Sequence, residues 1–333
     1  MDLFTHVLFA YLVSFGVWGP NGLQYIAAGA LAGGLPDADA LFFPLAGRFP
    51  LLRHHGITHS IFGVTLVAAV GAFVVPILFT AVIGAGFAAG STLYYFLAME
   101  AGGLCHVFLD GFTHFSVPPF APFSEYEFHL DADRAINLGT MAFTGFSFWL
   151  MIYERGRVAI WLWEFTAWAL LAVYVGYLAI RLAARWRAGV ARRREGFTAV
   201  VPQGNPFVFL LVEEDLTGPR VRVRMAPYHL LRGFLHPPQS LEVAKVPPAP
   251  GPVRSAEEAM ERSYGPSIQK GRMLAMTYHF AKVREGPGTY LVFWYSLEFS
   301  MLGRAAGVLA RVDAETGRVE TKNSWMSPRR FAA

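Results

Sequence analysis

Residues 57–83, ITHSIFGVTLVAAVGAFVVPILFTAVI, run for 27 positions without one Asp, Glu, Lys or Arg. About 20 helical residues cross a bilayer core of about 30 Å, and buried helices of soluble domains rarely need so long an uncharged stretch. Five further apolar runs occupy about 4–18, 22–35, 86–109, 138–153 and 158–182. The third, fourth and sixth of the six runs have full spanning length. The first two, FTHVLFAYLVSFGVW and GLQYIAAGALAGGL, are short and rich in Gly and Ala, which suits partial spans or helices packed closely together. The pattern predicts an all-α polytopic transmembrane helix bundle of about six spans, within a range of four to six. The N-terminus MDLFTHVLFAYLVSF has no basic segment and no small-x-small cleavage site, so it is expected to stay as the first helix.

The net charge of +4 conceals a division. Residues 1–150 hold three Arg and no Lys against nine acids, leaving 25 basic and 15 acidic residues for the rest. Seven of the ten histidines precede residue 130. Acid and imidazole thus concentrate in the most apolar part of the chain, and together they make the donor set of a cation site. One cysteine, Cys105, excludes an internal disulfide and a Cys-rich zinc module. Six arginines in RLAARWRAGVARRRE (181–195) follow the last apolar run, so that end is expected in the cytoplasm of a multi-pass plasma-membrane protein. The charged YERGR (153–157) fits that orientation poorly. The arginines read first as a membrane anchor, and they can also draw anionic headgroups. No nucleic-acid module is present, and oligomeric state is not readable.

Counting hairpins brings the polar residues to one membrane face: His6 near the start of the first run, Asp37 and Asp39 after the second, His54, His55 and His59 before the third, and His106, Asp110 and His114 at the end of the fourth. In CHVFLDGFTH (105–114), His106 and Asp110 are four apart and share a helical face, with His114 one further turn along. GGLPDADALFF (33–43) sets two carboxylates two apart where Pro36 stops a helix, an arrangement that serves a cation or an ordinary Pro-Asp turn. In RHHGITHS, Gly56 breaks the helix; His59 is the stronger ligand candidate, His54 the next, and His55 is as well suited to water or phosphate. No Glu follows the first His, which excludes the HExxH zinc-protease motif. An imidazole at His6, inside an apolar helix, requires a partner.

The candidate metal ligands are therefore His6, Asp37, Asp39, His54, His59, His106, Asp110 and His114, enough for one or two divalent ions, zinc first and manganese second. Mixed His/Asp shells with bridging carboxylates suit metal-activated water in phosphoester hydrolysis. Asp39 is the candidate catalytic group that orients that water.

At THVLFAYL, GALAGGLPDADALF, RHHGITHSIFG, GGLCHVFLDGFTH and PFAPFS the sequence resembles the LexA-regulated, membrane-bound metal-dependent hydrolase family of bacterial inner-membrane proteins, over roughly residues 1–135. More distantly it is similar to the zinc-dependent phospholipase C and P1 nuclease group. The resemblance implies a helical, multi-zinc phosphodiesterase-type site with metal roles for His6, Asp37, Asp39, His54, His59, His106 and Asp110. The family usually has Arg where this chain has His55.

FSVPPFAPFSEYEFHLDADRAIN (115–137) reads as a lid over the site or an interfacial belt, with His129 and Asp133 as loop hydrogen-bonders. Residues 1–183 form the membrane domain, 184–197 a basic juxtamembrane linker, and 198–333 a soluble α+β domain with an antiparallel sheet. In that domain NPFVFLLVEEDLTGPRVRVRMAP predicts a hairpin, SAEEAMERSYG a Ser-capped helix, and MLAMTYHFAKVRE, GTYLVFWYSLEFS and GVLARVDAETGRVETK further strands, with VPPAPGP (246–252) a stiff linker. His279 sits in a strand and is expected to be structural. Two functions follow. One is an enzyme, a membrane-bound metal-dependent hydrolase of small or lipid-type phosphoesters working among membrane lipids. The other is a non-enzymatic metal-binding transporter or sensor. A transporter should carry ionisable groups near mid-bilayer, whereas here they cluster at span ends.

Overall fold

The computed structural model describes residues 2–42, 56–84, 90–113, 116–134, 137–215, 217–244, 251–271, 279–301, 304–328 and 331. His54, His55, His114 and most of the 246–252 linker lie outside them.

Each of the six apolar runs forms a helix. Helix α1 (Leu3–Trp18) begins where the Asp2 carboxylate accepts the Thr5 N–H at 3.0 Å, and it ends at Gly19, whose φ of +60° only glycine adopts cheaply. A 3-10 turn at Pro20–Gly22 leads into α2 (Leu23–Gly34), and the pair is bent by 117°. With 16 and 12 residues, these helices reach only about 24 and 18 Å, short of a bilayer core of about 30 Å. They count at most as one broken span or re-entrant loop. Helices α3 (Ile61–Val82), α4 (Thr92–Asp110) and α6 (Ile160–Glu195) are long and apolar enough to cross a membrane; α5 (Leu138–Glu154), with 17 residues, falls short of that length. The described residues therefore carry three candidate spans, or four with the bent pair, which reaches the lower end of the expected four to six but not six. Hydropathy finds apolar helices, but it does not say which of them are long enough to cross.

Two compact units result, Met1–Leu182 and Ala183–Ala333. In the first, α1, α2, α3 and α4 approach through small residues. A Cβ on Gly102 of α4 would meet the Gly29 carbonyl of α2 at 2.0 Å, and one on Gly33 would meet Ala10 of α1 at 2.4 Å. Helix α3 starts at Ser60, whose hydroxyl accepts the Gly63 N–H at 3.0 Å, and a Cβ on Gly63 would strike the Ile57 carbonyl at 2.0 Å. The glycine-rich look of this region is thus a set of backbone contacts. We expect Gly102→Ala to push α4 off α2 and cost about 1–3 kcal/mol, read as a lower unfolding midpoint in detergent.

In the second unit, α6 continues unbroken through the basic segment to Glu195. Strands β1 (Ala199–Pro202), β2 (Val208–Asp215), β3 (Arg220–His229), β4 (Gly233–Phe234) and β5 (Gln239–Ala244) form one antiparallel sheet, in which β3 pairs with β2, β4 and β5. Strands β6 (His279–Gly286), β7 (Thr289–Met301), β8 (Arg304–Asp313) and β9 (Val319–Met326) form a second meander. Helix α7 (Ala256–Gly271) starts at Ser255, whose hydroxyl accepts the Glu258 N–H, and it packs on the second meander, where Trp294 donates to Ser263 at 2.9 Å. Val201, Val212, Val221 and Val223 of the first sheet share a core with Phe280, Phe293 and Tyr295 of the second. The hairpin, the capped helix and the strands fall where the sequence places them, apart from residues 272–278, which lie outside the described residues, and the strands divide into two sheets.

Candidate metal centre

Four local breaks in helical structure create the site. Helix α2 stops before Pro36, and a 3-10 segment, Pro36–Phe42, carries Asp37 and Asp39. Gly56 admits a second 3-10 turn, Ile57–His59, that presents His59 immediately before α3. The last turn of α4 supplies His106 and Asp110, and the first turn of α1 supplies His6. His6, His59 and His106 are fully buried and Asp110 nearly so.

One donor atom from each of Asp37, His59, His106 and Asp110 lies within 4.8 Å of the other three. Asp110 Oδ2 is 3.1 Å from His106 Nε2 and 3.5 Å from His59 Nε2, while Asp37 Oδ1 is 3.7 and 3.6 Å from the same two nitrogens. A tetrahedral ion with bonds of about 2.1 Å sets its donors about 3.4 Å apart. Four of the six donor–donor distances are therefore close to that length, and the other two lie within 4.8 Å.

The histidine tautomers point the same way. His106 Nδ1 lies 2.8 Å from the Gly33 carbonyl, which can only accept, so Nδ1 carries the proton. Its buried Nε2 makes no hydrogen bond and faces the oxygens of Asp110 and Asp37. A lone pair aimed at carboxylate oxygens is repulsive unless a positive charge stands between them. His59 repeats the arrangement. Its Nδ1 sits 3.3 Å from Asp39 Oδ2 and 3.1 Å from the Thr58 hydroxyl, which itself donates to Asp39 at 2.5 Å. Its Nε2 then faces Asp37 and Asp110. Burial opposes a charge on His59, but hydrogen bonding to Asp37 and Asp39 and the charge of Asp110 outweigh it and push the ring up to about 9. Burial likewise raises Asp37, yet His59 and the other imidazoles bring it below the usual carboxylate range. These groups hold a positive charge firmly, whether proton or metal.

Of the sequence candidates, Asp37, His59, His106 and Asp110 converge. Asp39 stands one layer out, on the far nitrogen of His59, and His6 likewise touches Asp110 Oδ1 at 3.1 Å while stacking on His106 at 3.8 Å. Two participants had no signal of their own, Thr58 beside His59 and the backbone carbonyl of Gly33. Both lie inside the quoted motifs, but a Thr hydroxyl and a main-chain oxygen acquire a role only from neighbours distant in sequence.

The 116–134 loop is pinned to the end of α4. Leu130, Ala132 and Asp133 donate backbone hydrogen bonds to Gly111 and Phe112, and Val117 pairs with Phe128. Phe120, Phe123 and Tyr126 stay exposed, as an interfacial belt requires. Asp133 accepts from Tyr177 at 2.6 Å and Asn137 at 3.3 Å and pairs with buried Arg181 at 3.3 Å, whereas exposed His129 bonds Asp131 at 3.0 Å. Both serve as hydrogen-bonders, as expected.

Among known proteins, residues 1–188 match a family model described as YdjM inner membrane protein. No curated protein and no solved structure matches the chain.

Proposed function

The chain belongs to the YdjM inner membrane protein family, and from that premise we propose that its polar cluster holds a divalent cation, zinc or manganese, and hydrolyses a phosphoester of a lipid-type substrate. The observation that carries the metal assignment is the four-donor set of Asp37, His59, His106 and Asp110, with Nε2 of both imidazoles turned onto two carboxylates. When bound, such an ion supplies Lewis acidity toward a water and a phosphoryl oxygen. His106 is fixed in one tautomer by Gly33, and His59 is oriented by Asp39 through Nδ1. Such outer carboxylates raise ligand basicity and fix ring direction. Asp39 is bonded to Thr58 and to the far nitrogen of His59, so it acts as a positioning group behind that ligand and not on the attacking water itself. His6 steadies the second oxygen of Asp110. These donors sit at helix ends, where a lipid phosphate rather than an acyl chain would lie, and where a mid-bilayer transport site would not. In this reading the arginine-rich end of α6 and the domain after it lie in the cytoplasm.

The test is elemental analysis of the purified protein together with an assay on lipid phosphoesters. Metal-dependent release of phosphate or phosphoalcohol, lost in His59→Ala, supports the enzyme. Bound metal without turnover on any phosphoester sinks it and leaves a binding protein. Asp39→Asn should lower metal affinity about 10–100-fold without changing the donor count, measured by competition with a chelating dye.

A further inference from the structure

In the second unit, the described side chains divide sharply by polarity along one axis. At the Glu195 end of α6, Arg224 donates to the Glu195 carbonyl at 2.6 Å and lies over the Phe197 ring. Ala184 and Ala188 pack with Phe209, Leu211 and Ala226, and Tyr228 and Leu230 join them. Helix and strands therefore run side by side. From Glu195 back to Ala184 is about 16 Å of helix, and from Arg224 to His229 about 17 Å of strand. The turns at 203–207 and 229–236 thus end level with Ala184, where the apolar segment 160–182 enters the unit.

Five large apolar side chains are exposed among the described residues after 182, and four lie at this end: Trp186, Phe207, Leu231 and Phe234. Leu231 is 75% exposed and Trp186 67%. The same end holds Arg185, Arg187 and Arg232, and no Asp or Glu occurs in 183–194, 203–212 or 225–241. The acids of this sheet, Glu213, Glu214, Asp215 and Glu242, gather at the opposite end, where Glu213 and Glu242 meet Arg224 and Arg222.

We propose that the two turns, with Leu231, Phe207 and Phe234 at their tips and Arg232, Arg185 and Arg187 around them, dock onto the anionic headgroups of the bilayer from which α6 emerges. One exposed Leu on a turn is ordinary, but Leu231 together with Trp186, Phe207 and Phe234 at one end is the kind of apolar grouping that marks an interaction surface. A membrane surface accommodates it, with apolar tips at the acyl boundary and arginines at the phosphates. Continuity with the apolar segment of α6 names the occupant, and the charge asymmetry agrees. The inference does not depend on the metal site.

The test uses the full chain with Cys105→Ala, reconstituted into vesicles and carrying a polarity-sensitive fluorophore at Leu231→Cys or, at the opposite end, at Thr217→Cys. In vesicles containing phosphatidylglycerol the 231 probe should shift to the blue and be quenched by lipids spin-labelled near the headgroup, while the 217 probe stays aqueous. Arg232→Glu should weaken that response at least about five-fold, as should high salt. A 231 probe that remains aqueous overturns the proposal. So does equal shielding in neutral vesicles or in polymer particles stripped of lipid, the latter pointing to a protein partner instead.

Discussion

His106→Ala combined with Asp110→Ala is expected to strip the protein of metal while leaving it in the membrane. Both residues project from the end of α4 and supply two of the four clustered donors. Removing one outer hydrogen bond from a metal ligand already costs about 10–100-fold in affinity, so losing two ligands should leave no measurable occupancy at micromolar metal. The remaining pair, Asp37 and His59, is 3.6 Å apart on one side of the site and cannot enclose an ion. Insertion should survive, because the apolar length of α4 is untouched. Elemental analysis of wild type and variant decides the matter. About one equivalent of zinc or manganese in the wild type, absent in the variant, fits the four donors. Two equivalents would call on His6 and Asp39 as direct ligands, with histidines outside the described residues. Metal retained in the variant would remove both residues from the site.

The second large effect is expected at Asp133→Ala. Asp133 and Arg181 are both fully buried and 3.3 Å apart, and the carboxylate also takes hydrogen bonds from Tyr177, Asn137 and the Arg134 N–H. Deleting the acid leaves the Arg181 charge in the interior without this counterion, a loss of about 3–5 kcal/mol. Tyr177→Phe, which removes one hydrogen bond and no charge, should cost only about 1–2 kcal/mol. Thermal unfolding in detergent reads both. Equal midpoints for the two variants would show that the ion pair contributes nothing beyond the tyrosine contact. The Asp133 N–H that donates to the Phe112 carbonyl is backbone and persists in the alanine variant, so the measured loss reports the side chain.

Arg181 shows where sequence reasoning stops. It begins the six-arginine run that reads as an anchor, yet it alone among those arginines is fully buried, because Asp133 waits for it from a loop nearly fifty positions earlier. Composition cannot reveal a pairing across that distance. The six helices were legible because each run is apolar throughout, and Pro36 and Gly56 marked the breaks that expose Asp37 and His59. Asp37, His59, His106 and Asp110 do converge, but the hairpin count that predicted it assumed six spans, and α1 and α2 are apolar but too short to supply two of them. The strands after residue 198 alternate visibly, but which strands share a sheet depends on non-local pairing, and two sheets formed where alternation alone suggested one. Asp39 was recognised as part of the site, but its place behind His59 rather than beside it needed coordinates.

The carbonyl of Gly33 turns the end of α2 into a ruler. Helices leave their last carbonyls unclaimed, and this one is claimed by His106 from another helix. One residue inserted upstream within α2 would rotate that oxygen by about 100° and slide it by about 1.5 Å, releasing the imidazole from the tautomer the site needs. Related chains that keep the site should therefore show no change of length between Gly29 and Asp37. Gaps in an alignment would then separate proteins that retain the site from those that keep only its histidines.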